Sequence, residues 1–362
     1  VTMVMRDHGL LSNTVRAIDT ARDGSVWVGT PDGLNRVSHL DGVESREVYR
    51  LPNTRVTALH IDRAGTLWVG TETGVGAFAD GRFTPVPIAG VSSLGIVFAM
   101  TSDREGALWL CHVGAASPSR VLRGVITDLD AVPEIQGRSC TSAYTDRSGR
   151  VWIGFTDGSL VAHTGGGYHL YSPQDGLPGG SIYSMWEGEN GTLWVGTSRG
   201  FSRLRDGRIT SVTERNGIPD TDVTALVGDQ DGHVWCAFNG GIIRLSESEV
   251  DRVAADASYR VRYTFLDSSD GLLSPPTRYG FPTAALGGDG RLWFQTVSGL
   301  AVVEPRALRK TMPARVTVER VVADGQTLSA STPDVVLPPR TTRLEIHYAA
   351  LSLAGASKVR FS

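Results

Sequence analysis

Val56-Thr57-Ala58-Leu59-His60-Ile61-Asp62-Arg63-Ala64-Gly65-Thr66-Leu67-Trp68-Val69-Gly70-Thr71 contains the motif that decides the fold. Val56 to Ile61 alternates as a β-strand does. Asp62 to Gly65 is a tight turn: Asp caps its own backbone and Gly supplies the positive φ. Leu67 to Thr71 is a second strand, apolar on successive positions, so both of its faces are covered. The motif Gly-x-x-Trp recurs with Gly24, Gly65, Gly106, Gly149, Gly191, Gly232 and Gly290, and with Trp27, Trp68, Trp109, Trp152, Trp194, Trp235 and Trp293. The Trp-to-Trp steps are 41, 41, 43, 42, 41 and 58 residues. Strand-and-turn sequence with a period in the low forties predicts a β-propeller, one blade per repeat. Trp186 lies off the pattern.

The second repeat continues with a turn at Glu72-Thr73-Gly74, a third strand at 75–79, the Asp80-Gly81 hairpin and an outer strand at 82–86. Pro85 suits that strand, because an edge can spare an amide. Each tryptophan is read as a wedge between neighbouring blades. The glycine after it (Gly29, Gly70, Gly154, Gly196) allows close approach of the next blade. The third repeat has a poorly marked third strand around Val113 to Pro118. The 58-residue step reads as a short amphipathic rim helix near 246–258, capped by Ser246 and apolar at Val250, Val253, Ala254 and Ala257.

Residues 1–5 look like an outer strand without a blade. The seventh repeat lacks one after its inner strand (about 281–286), tryptophan strand (292–296) and third strand (299–304). The expectation is an all-β, seven-bladed propeller over 1–306, closed by the N-terminal strand, which removes its free edges. From 307 to 362 the period stops. Strands near 316–322, 343–349 and from Lys358 onward, with a turn at Asp324-Gly325, read as the start of a truncated β-sandwich.

The 362 residues carry 35 Lys and Arg against 38 Asp and Glu, a net charge of −3 without basic runs. Nucleic acid or an anionic membrane surface is therefore disfavoured as a partner. No apolar stretch is long enough to span a bilayer, so any membrane attachment lies in segments outside this chain. Cys111, Cys140 and Cys236 are odd in number and widely spaced, and are read as small buried apolar residues, not a disulfide or zinc set.

The repeats resemble the two-component regulator propeller family, most plainly at Gly24 to Arg36 and Gly191 to Arg203. The tail from Leu337-Pro338-Pro339 through Leu344 to Leu353 resembles the opening of the triple-tyrosine sandwich that follows such propellers. The resemblance implies the periplasmic, ligand-sensing part of a transmembrane receptor with a histidine kinase or other cytoplasmic output, working as a homodimer.

Strand order puts the interblade connections and the turns after the tryptophan strands on one face, where propeller ligands usually bind. The connections offer Asn13, Arg55, Arg138, Asp222, Arg278 and Tyr279. The turns add Asp32, Glu72, His112, Asp157, Arg199 and Asn239. This mixed-charge funnel suits a small polar ligand such as a glycan. No motif assigns a catalytic residue, a metal ligand or a cofactor, so the chain itself reads as a non-enzyme. A propeller lyase or hydrolase is the weaker alternative, with His112 and Glu72 or Asp157 as its acid–base candidates. A protein–protein scaffold is the other, and it would show a large apolar patch on one face.

Overall fold

The computed structural model describes all residues except 41–42, 114–116, 189–190, 309–314, 329–334 and 352–362. It divides into two compact units, Val1–Pro305 and Arg306–Ser362.

In the first unit the described residues form seven four-stranded antiparallel sheets. Six are sequential. The first runs Ala17–Thr20, Val26–Thr30, Gly33–Leu40 and Val43–Arg50, and the second Val56–Ile61, Leu67–Thr71, Val75–Ala79 and Arg82–Pro85. The third, fourth, fifth and sixth begin at Val97, Cys140, Ile182 and Ala225. The seventh takes Ala284–Leu286, Leu292–Gln295 and Leu300–Val303, then Thr2–Val4 as its outer strand. There Thr2 pairs with Val302 and Val4 with Leu300. The innermost strands touch one another in cyclic order, and the seventh touches the first. The third strand of the third sheet is Ser119–Leu122, later than the sequence suggested.

The core lies between sheets. Ala17 and Leu34 of the first pack with Val56, Leu59 and Val69 of the second. Leu300, Val302 and Trp293 of the seventh pack with Ile18, Val26 and Val28 of the first. Trp109, Trp152, Trp194, Trp235 and Trp293 are buried, whereas Trp27 and Trp68 are partly exposed. By analogy with core Trp-to-Ala changes, each fully buried wedge is worth about 3–5 kcal/mol. Close packing explains the glycine after the tryptophan. A Cβ on Gly29 would sit 2.7 Å from Val56 Cγ1, and one on Gly70 would sit 2.9 Å from the Val97 carbonyl oxygen.

The turn aspartate does more than cap. In the second, third, fourth and sixth sheets one oxygen accepts turn amides, and the other accepts the indole N–H six residues on, at 2.9 Å. Arg120 and Arg244, directly across the sheet from Trp109 and Trp235, bridge to those carboxylates and cover the rings. The first, fifth and seventh sheets lack this arrangement, with Ala21, Gly188 and Gly287 where the aspartate would be. Among the described residues the buried indole N–H groups of Trp194 and Trp293 have no partner. Trp186, off the repeat, pairs with Trp194 across the sheet and covers Gly228 of the next, where a Cβ would lie 1.9 Å from the indole.

Two expectations need correction. Cys111, in the tryptophan strand of the third sheet, is disulfide-bonded to Cys140, which opens the inner strand of the fourth. Only Cys236 is free, and burial raises its thiol pKa. A sequence separation of 29 residues gives no hint of this pairing, because it depends on which strands adjoin between blades. The helix runs Glu247–Ala255 with Val250 and Val253 buried, but Ala254 and Ala257 are exposed. Ser246 makes no side-chain cap; its hydroxyl pairs with that of Ser248.

The second unit shows a three-stranded sheet with Arg315–Ala323 in the middle, flanked by Gln326–Leu328 and Leu344–Leu351. Asp324-Gly325 is the turn, with φ of 46° and 82°. The strand read from Lys358 onward lies outside the described residues.

Candidate functional site

The face carrying the interblade connections gathers its polar residues into three groups. Arg55 and Glu72, which precede the inner strand and follow the tryptophan strand of the second sheet, form an exposed pair at 3.7 Å. Arg138, partly buried, pairs with Asp157 in the fourth sheet and also donates to Ser159 Oγ at 3.0 Å. The third group is the most developed. Arg278 Nη1 donates to Asp222 Oδ2 at 2.8 Å, and its guanidinium lies 3.9 Å from the centre of the Tyr183 ring. The next residue, Tyr279, has its ring under the guanidinium of Arg16 at 5.2 Å. Its amide donates to Gln295 Oε1 at 3.0 Å, and Gln295 Nε2 donates to the Val15 carbonyl. Asp222 Oδ1 is buried and has no partner among the described residues. Two aromatic faces, two guanidiniums and an acceptor with spare capacity thus converge from the entries to the first, fifth, sixth and seventh sheets.

The floor of this site is protein. Phe281 donates its amide to the Phe98 carbonyl at 3.1 Å, and its own carbonyl accepts from Leu59 at 3.3 Å. The Pro282 carbonyl accepts from Ile18 at 3.0 Å. Residues 280–282 therefore bridge the inner strands of the first three sheets. A Cβ on Gly280 would meet the Thr57 and Arg16 carbonyl oxygens at 2.1 and 2.4 Å, so only glycine fits. The seventh inner strand consequently starts at Ala284, not at 281.

The other sequence candidates are structural or isolated. His112 uses both ring nitrogens, Nδ1 with the Leu94 carbonyl at 2.8 Å and Nε2 with Ser119 Oγ at 3.0 Å. Neither Glu72 nor Asp157 is among its partners, so it is not poised as their acid–base mate. Asn13 Oδ1 accepts from the Arg6 amide and its carbonyl from Gly299, which ties down the connection into the first sheet. The Asp32 and Arg199 amides donate to Thr30 and Thr197 hydroxyls, while their side chains and that of Asn239 are exposed. Arg16 and Tyr183 are site residues that the sequence reading missed.

At the far end of the inner strands, Asp19 accepts from the amides of Ile61 and Thr20 at 2.7 and 2.8 Å. Burial outweighs those bonds and pushes its carboxyl up to about 7. Burial lowers His60 to about 4, with its Nε2 paired to Ser102 Oγ at 2.8 Å. Among the described residues no group of three or more His, Cys, Asp or Glu is placed to hold a metal ion.

Residues 50–73 match the profile of the family described as "Two component regulator propeller". The chain carries a two-component regulator propeller repeat. No curated protein sequence matches it. The structure is similar to the extracellular domain of a hybrid two-component system from B. thetaiotaomicron (TM-score 0.67, 19% identity), over 91% of this chain and 44% of that one. A one-component counterpart from the same organism gives a TM-score of 0.63 at 14% identity, over 92% of this chain and 45% of that one. The chain thus spans less than half the length of these receptor domains. A catalytically inactive virginiamycin B lyase from Staphylococcus aureus, solved with quinupristin, matches at TM-score 0.62 and 15% identity, over 83% of this chain and 99% of that one. At these identities the likeness establishes a β-propeller fold and no activity.

Proposed function

We propose that this two-component regulator propeller is the ligand-sensing, extracytoplasmic region of a bacterial transmembrane receptor. In this reading the seven sheets are the blades of one closed ring, and the three-stranded sheet opens a β-sandwich that leads toward the membrane. The observation that carries it is the family repeat at 50–73, on a fold shared with extracellular sensor domains. The Cys111–Cys140 bridge agrees with an oxidising compartment.

The ligand is a small polar molecule, such as a glycan, seated over Arg278, Asp222, Tyr183, Tyr279 and Arg16. Aromatic faces take the apolar side of a sugar ring, and guanidinium and carboxylate groups orient its hydroxyls. Ligand alters packing between copies of the receptor and so biases a homodimer that drives a histidine kinase or similar output. The test is a thermal-shift and light-scattering screen of oligosaccharides. A selective rise in melting temperature, lost in Arg278→Ala, supports the reading. A shift that survives Arg278→Ala and Asp222→Ala together would remove this site from it.

A second reading, docking of a protein partner, is favoured by one observation. Ile96, Val113, Leu273, Tyr279 and Val297, all on this same face, are at least 40% exposed. A scaffold would bind a protein partner through these residues and ignore saccharides.

A further inference from the structure

The fifth sheet departs from its neighbours in a way that builds a second site, at the rim. Arg203 is the cross-strand partner of Trp194, the position from which Arg120 and Arg244 reach the turn aspartate of their own sheets. With Gly188 in place of that aspartate, the buried Arg203 pairs instead with Asp251 at 2.6 Å. Asp251 lies on the helix Glu247–Ala255, inserted between the third and fourth strands of the sixth sheet and packed on the outer strand Arg208–Val212 of the fifth. Between helix and hairpin is a cavity of about 450 Å³, lined by Arg203, Arg205, Asp206, Arg208, Thr210 and Asp251 among others. That volume suits a small molecule.

Its lining carries a net positive charge. Three guanidiniums face two carboxylates, one of which is committed to Arg203. Arg205 and Arg208 stand directly across the hairpin from each other, and among the described residues neither forms an ion pair or a side-chain hydrogen bond. Two adjacent like charges repel, and an anion between them removes that cost while taking charge-assisted, bidentate hydrogen bonds. Thr210 offers a hydroxyl donor on the same wall.

We propose that this cavity binds a small ligand through an oxyanion (phosphate, sulfate or carboxylate) held between Arg205 and Arg208. The site is independent of the one over the channel, and neither proposal needs the other. The test is calorimetric titration of the whole chain with inorganic phosphate, inorganic sulfate and glucuronate at fixed ionic strength. At least one probe saturates a single site, and the tightest one names the oxyanion. Arg205→Gln and Arg208→Gln each weaken that binding at least tenfold. Both residues are on a solvent-facing hairpin, so both variants melt close to wild type. Arg199→Gln, a like change on the channel face, leaves the affinity unaltered. Absence of saturable binding for all three probes would overturn the proposal. So would wild-type affinity in both glutamine variants.

Discussion

Removing the Cys111–Cys140 bridge is the most direct test of how the ring is held. The bridge joins two neighbouring sheets, with Cα atoms 5.7 Å apart, and closes a loop with a separation of 29 residues. In the chain-entropy description the lost loop freedom is about 12 cal/mol/K, or about 3.6 kcal/mol at 25 °C. A unit of 305 residues has an unfolding entropy of roughly 640 cal/mol/K, so the expected fall in melting temperature is about 6 °C. The assay compares oxidised protein, protein in a phosphine reductant, and the Cys111→Ala/Cys140→Ala variant by thermal unfolding at neutral pH. Thiol titration of the denatured, non-reduced chain runs alongside and should count one thiol, that of Cys236. Three thiols in protein made in an oxidising compartment would refute the bridge. A single thiol with no change in melting temperature on reduction would refute the energetic argument instead.

Gly280→Ala should destabilise the first unit by about 1–3 kcal/mol or more, since the new methyl meets two carbonyl oxygens that cannot both retreat; urea denaturation measures it. The pH profile should respond to Asp19→Asn. With its pKa raised, Asp19 contributes stability fully below about pH 4 that is lost as pH rises to about 7; with its pKa lowered, His60 contributes stability fully above about 6.5 that is lost as pH falls to about 4. The two slopes cancel between those values in the wild type, so the variant should gain about 1.4 kcal/mol of stability per pH unit from 4 to 6.5; a flat profile would contradict this. Asp146→Asn weakens the acceptor shared by Ser148, Arg150 and Trp152, and should cost about 1–3 kcal/mol at neutral pH. The Asp146 pKa is lowered, so that cost should shrink as the pH falls below about 4, which denaturation at pH 3 checks.

The fold is legible because the glycine and tryptophan recur in every repeat and the aspartate in four of the seven. Asp62 and Gly65 make the turn, Trp68 fills the space between sheets, and Gly70 lets the next strand in; all three effects lie within nine residues. Lateral pairings are less legible. Cys111 meets Cys140 only because the tryptophan strand of one sheet leans on the inner strand of the next. Nor does local pattern show that Phe281 and Pro282 cross the channel instead of extending the seventh inner strand. Of the five central-site residues, Asp222, Arg278 and Tyr279 are legible from the connections, and the other two were nevertheless within reach. The register of inner against tryptophan strands places Arg16, Thr57, Phe98, Thr141, Tyr183 and Thr224 at equivalent positions, each three residues before the one facing the tryptophan. Aligning the repeats on that layer singles out Arg16, its one charged member, and the aromatic members Phe98 and Tyr183, of which Tyr183 stacks on Arg278. Gly188 in the aspartate position is likewise visible in the sequence, and it is the change that frees Arg203 for the rim.

The location of the central site constrains how a rigid ring could report a ligand. Arg278 and Tyr279 contact the proposed ligand, and Phe281 and Pro282, just beyond, carry the bonds to the first three inner strands. The chain then makes the three inner strands of the seventh sheet and leaves the unit at Pro305. The same sheet holds the strand Thr2–Val4, and the N-terminal amine donates to the Asp270 carbonyl at 2.8 Å, in the connection that leads to Arg278. Two of the five site residues, Arg278 and Tyr279, lead directly into the sheet that also holds the ring closure and the exit. Ligand contact there biases a few hydrogen bonds to three neighbouring sheets and needs no change in the shape of the others. Amide exchange should therefore slow on saccharide binding at Ile18, Leu59 and Phe281 and through 284–303, and hardly at all in the fourth sheet, which supplies no residue to the site. Uniform protection around the ring would mean that ligand tightens the whole propeller, and the seventh sheet would then have no special part in the signal.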